Sequence, residues 1–158
     1  MSDRSAPYTT VRYVSPLLEP GAGVTSHSVM PLTTDEQVVA LRRVVRERAI
    51  ELKLSLVDQT KLVTAASELS RNTIKYGGGG EVHVVCLADG FRHGVRLAFA
   101  DDGPGIADLG LALTDGYTTG GGLGLGLGLS GAKRLVDEFE IDTEHGEGTV
   151  VVIVKWKR

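Results

Sequence analysis

Val82-His83-Val84-Val85-Cys86-Leu87-Ala88-Asp89-Gly90-Phe91-Arg92-His93-Gly94-Val95-Arg96-Leu97-Ala98-Phe99 is the stretch on which the fold turns. Val82, Val84, Val85, Cys86 and Leu87 make one apolar run, and Val95, Leu97 and Phe99 make a second. Asp89 to Gly94 is turn chemistry between them. A connection this short joins antiparallel neighbours, because a parallel pair needs a crossover of a dozen or more residues.

Upstream, Val38, Leu41, Val44, Val45 and Ile50 recur at helical spacing, with Arg42, Arg43, Arg46 and Arg48 on the other faces. The start of this helix lies in Thr33-Thr34-Asp35-Glu36, where Thr33 with Glu36 fits a capping box and Thr34 or Asp35 are alternative caps. A second helix begins near Val57 and buries Leu62, Ala65, Ala66, Leu69 and Thr73. Gly77 to Gly80 ends it, since four glycines in a row disfavour a helix. Val24 to Leu32 fits an edge strand, and residues 1–22, with Pro7, Pro16 and Pro20, read as a tail or irregular extension ahead of one domain over 23–158. Downstream, a third helix is expected over Leu127 to Asp137, followed by strands near Phe139–Thr143 and Gly148–Lys155. Helices first, then a hairpin, a glycine loop, a helix and closing strands, without βα alternation, predict an α+β fold. It is a two-layer sandwich of a mainly antiparallel, mixed sheet with helices on one face.

Composition narrows the function. A chain of 158 residues with 42% hydrophobic and 23% charged residues is one ordinary core-forming domain. The net charge of −3 argues against a general nucleic-acid binder. No run reaches the length of a membrane span, no leader pattern opens the chain, and the single Cys86 cannot form an internal disulfide, so a cytoplasmic location is expected. The 21 glycines against 5 prolines are the anomaly, with clusters at Gly77–Gly80 and Gly120–Gly128.

Three motifs could use that backbone freedom. On the second helix, Glu68 and Asn72 lie four apart on one face with Lys75 close to the same side. They offer a base, a hard oxygen ligand for Mg²⁺ and a phosphate contact, although such a trio alone is better read as a solvated helix face. Asp101-x-Gly103-x-Gly105 follows a strand. A carboxylate there, with glycines that admit a flat ligand, suits an exocyclic amine such as that of adenine, or forms a plain acidic turn. Gly120 to Gly128 precedes a helix and can aim backbone N–H groups at an anion. It is neither a Walker A loop nor a Rossmann fingerprint, lacking the adjacent Gly-Lys-Ser/Thr and the βαβ setting.

In order and spacing these motifs resemble the N, G1 and G2 boxes of the Bergerat ATP-binding fold of gyrase, chaperone, histidine-kinase and mismatch-repair ATPases. Within that superfamily the chain is similar to the anti-sigma regulatory serine/threonine kinases, especially the switch kinases of stressosome pathways. The narrower match rests on Glu68-Leu69-Ser70-Arg71-Asn72, Asp101-Asp102-Gly103-Pro104-Gly105-Ile106, Asp115 to Gly121, Gly131 to Phe139, Gly148-Thr149 and Lys155-Trp156.

The resemblance implies ATP and Mg²⁺ as cofactors and a STAS-domain antagonist as the protein substrate. A PP2C-type phosphatase or a sigma factor would be a further partner, with no nucleic acid or membrane involved. It implies Glu68 as general base, Asn72 on Mg²⁺ and Asp101 on adenine, with Gly103 and Gly105 shaping that pocket and Thr149 assisting through water. It also implies backbone donors at Gly124, Gly126 and Gly128, Lys75 on phosphate, and a lid over residues 107–123. The Gly-Leu repeats exceed the family's usual loop by about a dipeptide, which leaves the register of the three glycines open. No arginine lies between Ile106 and Leu123, which favours the switch-kinase subtype over a direct sigma binder. His27, His83, His93 and His145 lack metal-ligand spacing, and Cys86 is expected in the core.

Overall fold

The computed structural model describes residues 10–113 and 128–158. Five strands, β1 (Val24–Leu32), β2 (Gly80–Asp89), β3 (Arg92–Asp101), β4 (Glu138–Glu144) and β5 (Gly148–Trp156), form one sheet in the order β1-β2-β3-β5-β4. Every pairing is antiparallel, so the sheet is not mixed among the described residues. The hairpin is tighter than expected. Its strands run on to Asp89 and from Arg92, leaving Gly90-Phe91 as a two-residue turn, because Ala88 pairs with His93 and Leu87 with Gly94. Gly90 takes φ 62°, the left-handed value such a turn demands at its first central residue.

Two long helices cover one face: α1 (Asp35–Glu51) and α2 (Leu56–Lys75). Thr34 is the cap of α1, and its box partner is Gln37 rather than Glu36. The buried stripe of α1 is Val38, Leu41, Val45 and Ala49; Ile50 is 55% exposed, one position round the helix from the stripe that Ala49 occupies. These side chains, with Leu62, Ala65, Ala66 and Leu69 of α2, pack on Val82, Val84, Val95, Leu97, Phe99, Val151 and Ile153 of the sheet.

The turn after α1 closes by two backbone bonds, Lys53 N–H to Ile50 O and Leu54 N–H to Ala49 O, each 2.9 Å. This Schellman pattern puts Lys53 at φ 62°, where glycine is the ordinary occupant. Lys53 is exposed, so Lys53→Gly is expected to stabilise the fold by about 0.5–1 kcal/mol in denaturant unfolding.

A short helix α3 (Leu109–Ala112) precedes α4 (Gly128–Arg134), which is shorter than the helix expected to reach Asp137. The sheet takes the chain over at that point. Asp137 N–H donates to Val154 O, and the Asp137 carboxylate accepts from Trp156 N–H and sits 3.6 Å from Lys155 Nζ. Residue 127 lies outside the described residues.

The second face of the sheet carries Val85, Leu87, Ala98, Ala100, Val150, Val152, Val154 and Trp156, and these are covered as well. Val11, Tyr13, Leu17 and Leu18 pack on them, with a 3-10 turn at Pro16–Leu18 capped by Ser15. Among the described residues no helix is long and apolar enough to cross a membrane.

Candidate nucleotide and phosphoryl-transfer site

α2 brings the first motif to the edge of the sheet. Ser55 caps the helix, accepting from Asp58 N–H, and the apolar stripe fixes its rotation. That rotation leaves Glu68 and Asn72 half-buried, one turn apart on a shared side. The Glu68 carboxylate lies 3.9 Å from the Arg71 guanidinium, and the Asn72 side chain makes no hydrogen bond among the described residues. Lys75 is exposed in the last turn, its ammonium 5.3 Å from the centre of the Tyr76 ring.

The end of α2 touches the second motif. Tyr76 and Gly77 N–H both reach Asn72 O, and the chain passes so close to β3 that a Cβ on Gly77 would lie 2.4 Å from Asp101 Cγ. From the other side, a Cβ on Gly103 would lie 2.7 Å from Gly77 Cα. These are backbone approaches that only glycine permits, and they hold the Asp101 carboxyl against the C-terminal end of the helix bearing Glu68 and Asn72.

Asp101 ends β3 and is 7% exposed, yet among the described residues its carboxyl receives one hydrogen bond, from Gly103 N–H at 2.9 Å. Burial pushes its carboxyl up to about 6, with Gly103 N–H opposing and the neighbouring Asp102 charge adding to the rise. A buried carboxyl with acceptor capacity to spare fits a ligand that brings donors, as the adenine amine does. Thr149 sits directly across the β3–β5 ladder from Asp101.

Thr143 completes this wall and was not among the residues singled out from the sequence. Its hydroxyl accepts from Ile106 N–H at 2.9 Å, donates to Gly148 O at 3.1 Å and lies 2.9 Å from Thr149 Oγ1. It therefore ties the loop after Gly105 to β5. Gly105 itself adopts φ 76° and approaches Glu144 O closely. Of the proposed phosphate glycines, Gly128 is buried at the start of α4 with φ 65°, while Gly124 and Gly126 lie outside the described residues. The lid expected over 107–123 is described only to residue 113, where α3 provides one helical turn.

Residues 57–158 match the sequence profile of the histidine kinase-, DNA gyrase B- and HSP90-like ATPases. The chain belongs to that ATPase family. Over 131 residues it is 41% identical to the serine/threonine-protein kinase RsbT of Bacillus subtilis, covering 83% of this chain and 97% of that protein. It is 29% identical to an anti-sigma F factor of Clostridium novyi over 66% of this chain and 76% of that protein. In fold it is similar to the RsbU and RsbW domains of a Mycobacterium tuberculosis protein, at a TM-score of 0.57 and 22% identity, over 83% of this chain and 32% of that one.

Within this ATPase the groove beside Glu68 is a second feature that the sequence pattern left unread. Between α1 and α2 an open groove of about 810 Å³ is lined by Arg42, Arg43, Arg46 and Arg71, with Ser67 and Glu68 at its wall. Arg48 pairs with Glu51, but Arg42, Arg43 and Arg46 make no ion pair among the described residues. Arg42, Arg43 and Arg46, on the solvent side of α1, thus line a cleft that opens at a carboxylate.

Two of the histidines meet between neighbouring strands. His27 Nε2 and His83 Nδ1 are 2.9 Å apart, and His83 Nε2 is 3.0 Å from Glu81 Oε2. This pairing joins β1 to β2 across the register His27–Val85 and Val29–His83. Among the described residues no three His, Cys, Asp or Glu side chains gather to hold a metal ion.

Proposed function

We propose that the chain is an ATP- and Mg²⁺-dependent protein serine/threonine kinase that phosphorylates a STAS-domain antagonist and acts by partner switching in a sigma-factor stress pathway. The observation that carries this reading is Glu68. Its carboxylate shares a helix side with Asn72 and lines the basic groove, while the same helix ends on the Asp101 pocket. Nucleotide and protein substrate can thus reach one helix from two sides. The 41% identity to a serine/threonine-protein kinase over nearly its whole length supports the reaction class.

In this reading Asp101 accepts from the adenine amine, with Gly103 and Gly105 forming the floor and Thr149 holding a water beside the base. Backbone N–H groups at Gly124, Gly126 and Gly128, with Lys75, contact the phosphates. The Asn72 amide oxygen would hold Mg²⁺, which would supply charge neutralisation for the transfer. Glu68 removes the proton from the acceptor hydroxyl. The hydroxyl oxygen bonds to the γ-phosphorus as the bond to the β-phosphate oxygen breaks, leaving ADP and a phosphorylated serine or threonine. Released from its antagonist, the kinase is free to engage a PP2C-type phosphatase.

Incubation with γ-labelled ATP, Mg²⁺ and a STAS-domain protein tests the proposal, with label on a serine or threonine of the partner as the expected result. Unlabelled partner with intact ATP binding would leave only an ATP-gated binding module. The groove gives a second measurement. An acidic acceptor segment seated there makes Arg43→Glu with Arg46→Glu raise the KM for the partner roughly tenfold, with ATP affinity unchanged. The similarity to anti-sigma F factors supports one rival, direct capture of a sigma factor, which co-purification with a sigma factor rather than a phosphatase would establish.

A further inference from the structure

The segment Thr10–Leu18 lies outside the stretch matched by the family profile, yet it is tied to the nucleotide pocket at several points. Asp102, next to Asp101, is exposed, and its carboxylate is spent on this segment. It accepts from Arg12 N–H at 2.9 Å to both oxygens and from Tyr13 N–H at 2.7 Å. Two consecutive backbone donors closing on one carboxylate form a small anion nest.

The Tyr13 ring lies against Gly148, where a Cβ would come 2.8 Å from the tyrosine Cβ and Cγ and 2.4 Å from Asp101 O. Gly148 immediately precedes Thr149. Burial first, then the nearby Asp142 carboxylate on β4, pushes the Tyr13 phenol up to about 12, so the phenol keeps its proton. At the ends of the segment, Thr10 N–H and Oγ1 donate to Glu81 Oε1 at 3.0 and 3.2 Å, and Arg96 donates to Leu17 O. The strap thus grips both strands of the Asp101–Thr149 pair from behind the sheet, while the helices hold them from the front.

We infer that Asp102, anchored by the N–H groups of Arg12 and Tyr13, is a positioning residue for the adenine-recognising Asp101, and that the strap sets selectivity for the adenine base. This rests on the assignment of Asp101 to the adenine amine. Without the strap the turn Asp101–Gly103 keeps its own hydrogen bond but loses the anchor that fixes its tilt, and the carboxylate meets the exocyclic amine less squarely. Phosphate contacts, which lie elsewhere, are untouched.

The test compares ATP with inosine triphosphate, which carries a carbonyl oxygen where ATP has the amine. In the full chain, Asp102→Ala is expected to weaken ATP roughly tenfold while leaving inosine triphosphate nearly unchanged, so the preference for ATP collapses. Asp102→Asn, which keeps one acceptor oxygen, restores part of the preference. Arg12→Pro removes one donor through a residue whose side chain is exposed, and its effect adds less than fully to that of Asp102→Ala. Equal weakening of both nucleotides, or no weakening of either, overturns the positioning role. If Asp101→Asn also leaves the preference for ATP intact, the fault lies with the adenine assignment itself; if Asp101→Asn abolishes it and Asp102→Ala does not, the strap alone is wrong.

Discussion

Glu68→Gln is expected to reduce phosphate transfer to the protein substrate by two to four orders of magnitude, about 10²–10⁴-fold, while ATP affinity stays within about twofold of the wild type. The amide matches the carboxylate in shape, so the half-buried site on α2 is refilled and the helix is not disturbed. What disappears is the ability to accept a proton. The Arg71 guanidinium, 3.9 Å away and largely exposed, loses a screened ion pair, and that costs little. ATP affinity is preserved because Glu68 has no part in the Asp101–Thr149 wall. The measurement is partner labelling under saturating ATP beside nucleotide titration of the same preparation. Transfer that persists in the amide variant would remove Glu68 from the role of base. Arg71→Ala is the control, since it removes the same ion pair and leaves the proton acceptor: kcat at saturating partner should survive it, even where loss of a groove arginine raises the KM for the partner.

The hairpin and the two long helices were legible because each is a local pattern: two apolar runs flanking the turn at Gly90, and period 3.6 from Val38 and from Leu62. Asp101 and Thr149 could be proposed as neighbours only through a resemblance, and the β3–β5 register puts them opposite each other. Thr143 was missed because, although Thr149 faces it across the β4–β5 hairpin, its third partner Ile106 comes from the loop after β3, 37 residues away, and no spacing along the chain announces that contact. The strap escaped for the same reason on a larger scale. Prolines and glycines made residues 1–22 look unstructured, and the apolar positions Val11, Tyr13, Leu17 and Leu18 have no period because an irregular segment buries them. The second sheet face carried a hint in Val85, Ala98, Val152 and Val154: outward-facing positions as apolar as the inward ones mark a sheet covered on both sides. The third helix ended early for a reason that is tertiary, since Asp137 is claimed by β5.

Asp101→Asn should weaken ATP by about 10- to 100-fold, the worth of a charge-assisted hydrogen bond lost from a buried site. The asparagine has one acceptor oxygen, which Gly103 N–H already engages in the aspartate, and its amide nitrogen would then face the adenine amine, donor against donor. The pH dependence separates this from a packing defect. Burial raises the Asp101 carboxyl from 3.8 to about 6 in the free protein, so it is protonated before most carboxylates as the solution is acidified. An amine donor favours the ionised form, so ATP binding pulls the pKa back down and releases a proton near pH 6. Affinity for ATP therefore falls as pH drops below about 6 in the wild type, relative to Asp101→Asn, in which the ATP phosphates titrate identically and the side chain does not.

The stability of the free protein moves in the opposite direction. A folded-state pKa above the unfolded value means that the ionised carboxylate disfavours the fold above pH 6, and this penalty fades as pH falls through 6 toward 4. The upper bound is about 3 kcal/mol for two pKa units, and Asp101→Asn should recover much of it at pH 7 as a higher melting temperature without nucleotide. A variant that melts higher yet binds ATP worse is the signature of a residue kept for its ligand at the expense of its fold. If the variant both melts lower and binds as before, Asp101 is a structural turn residue and the adenine pocket has been misplaced.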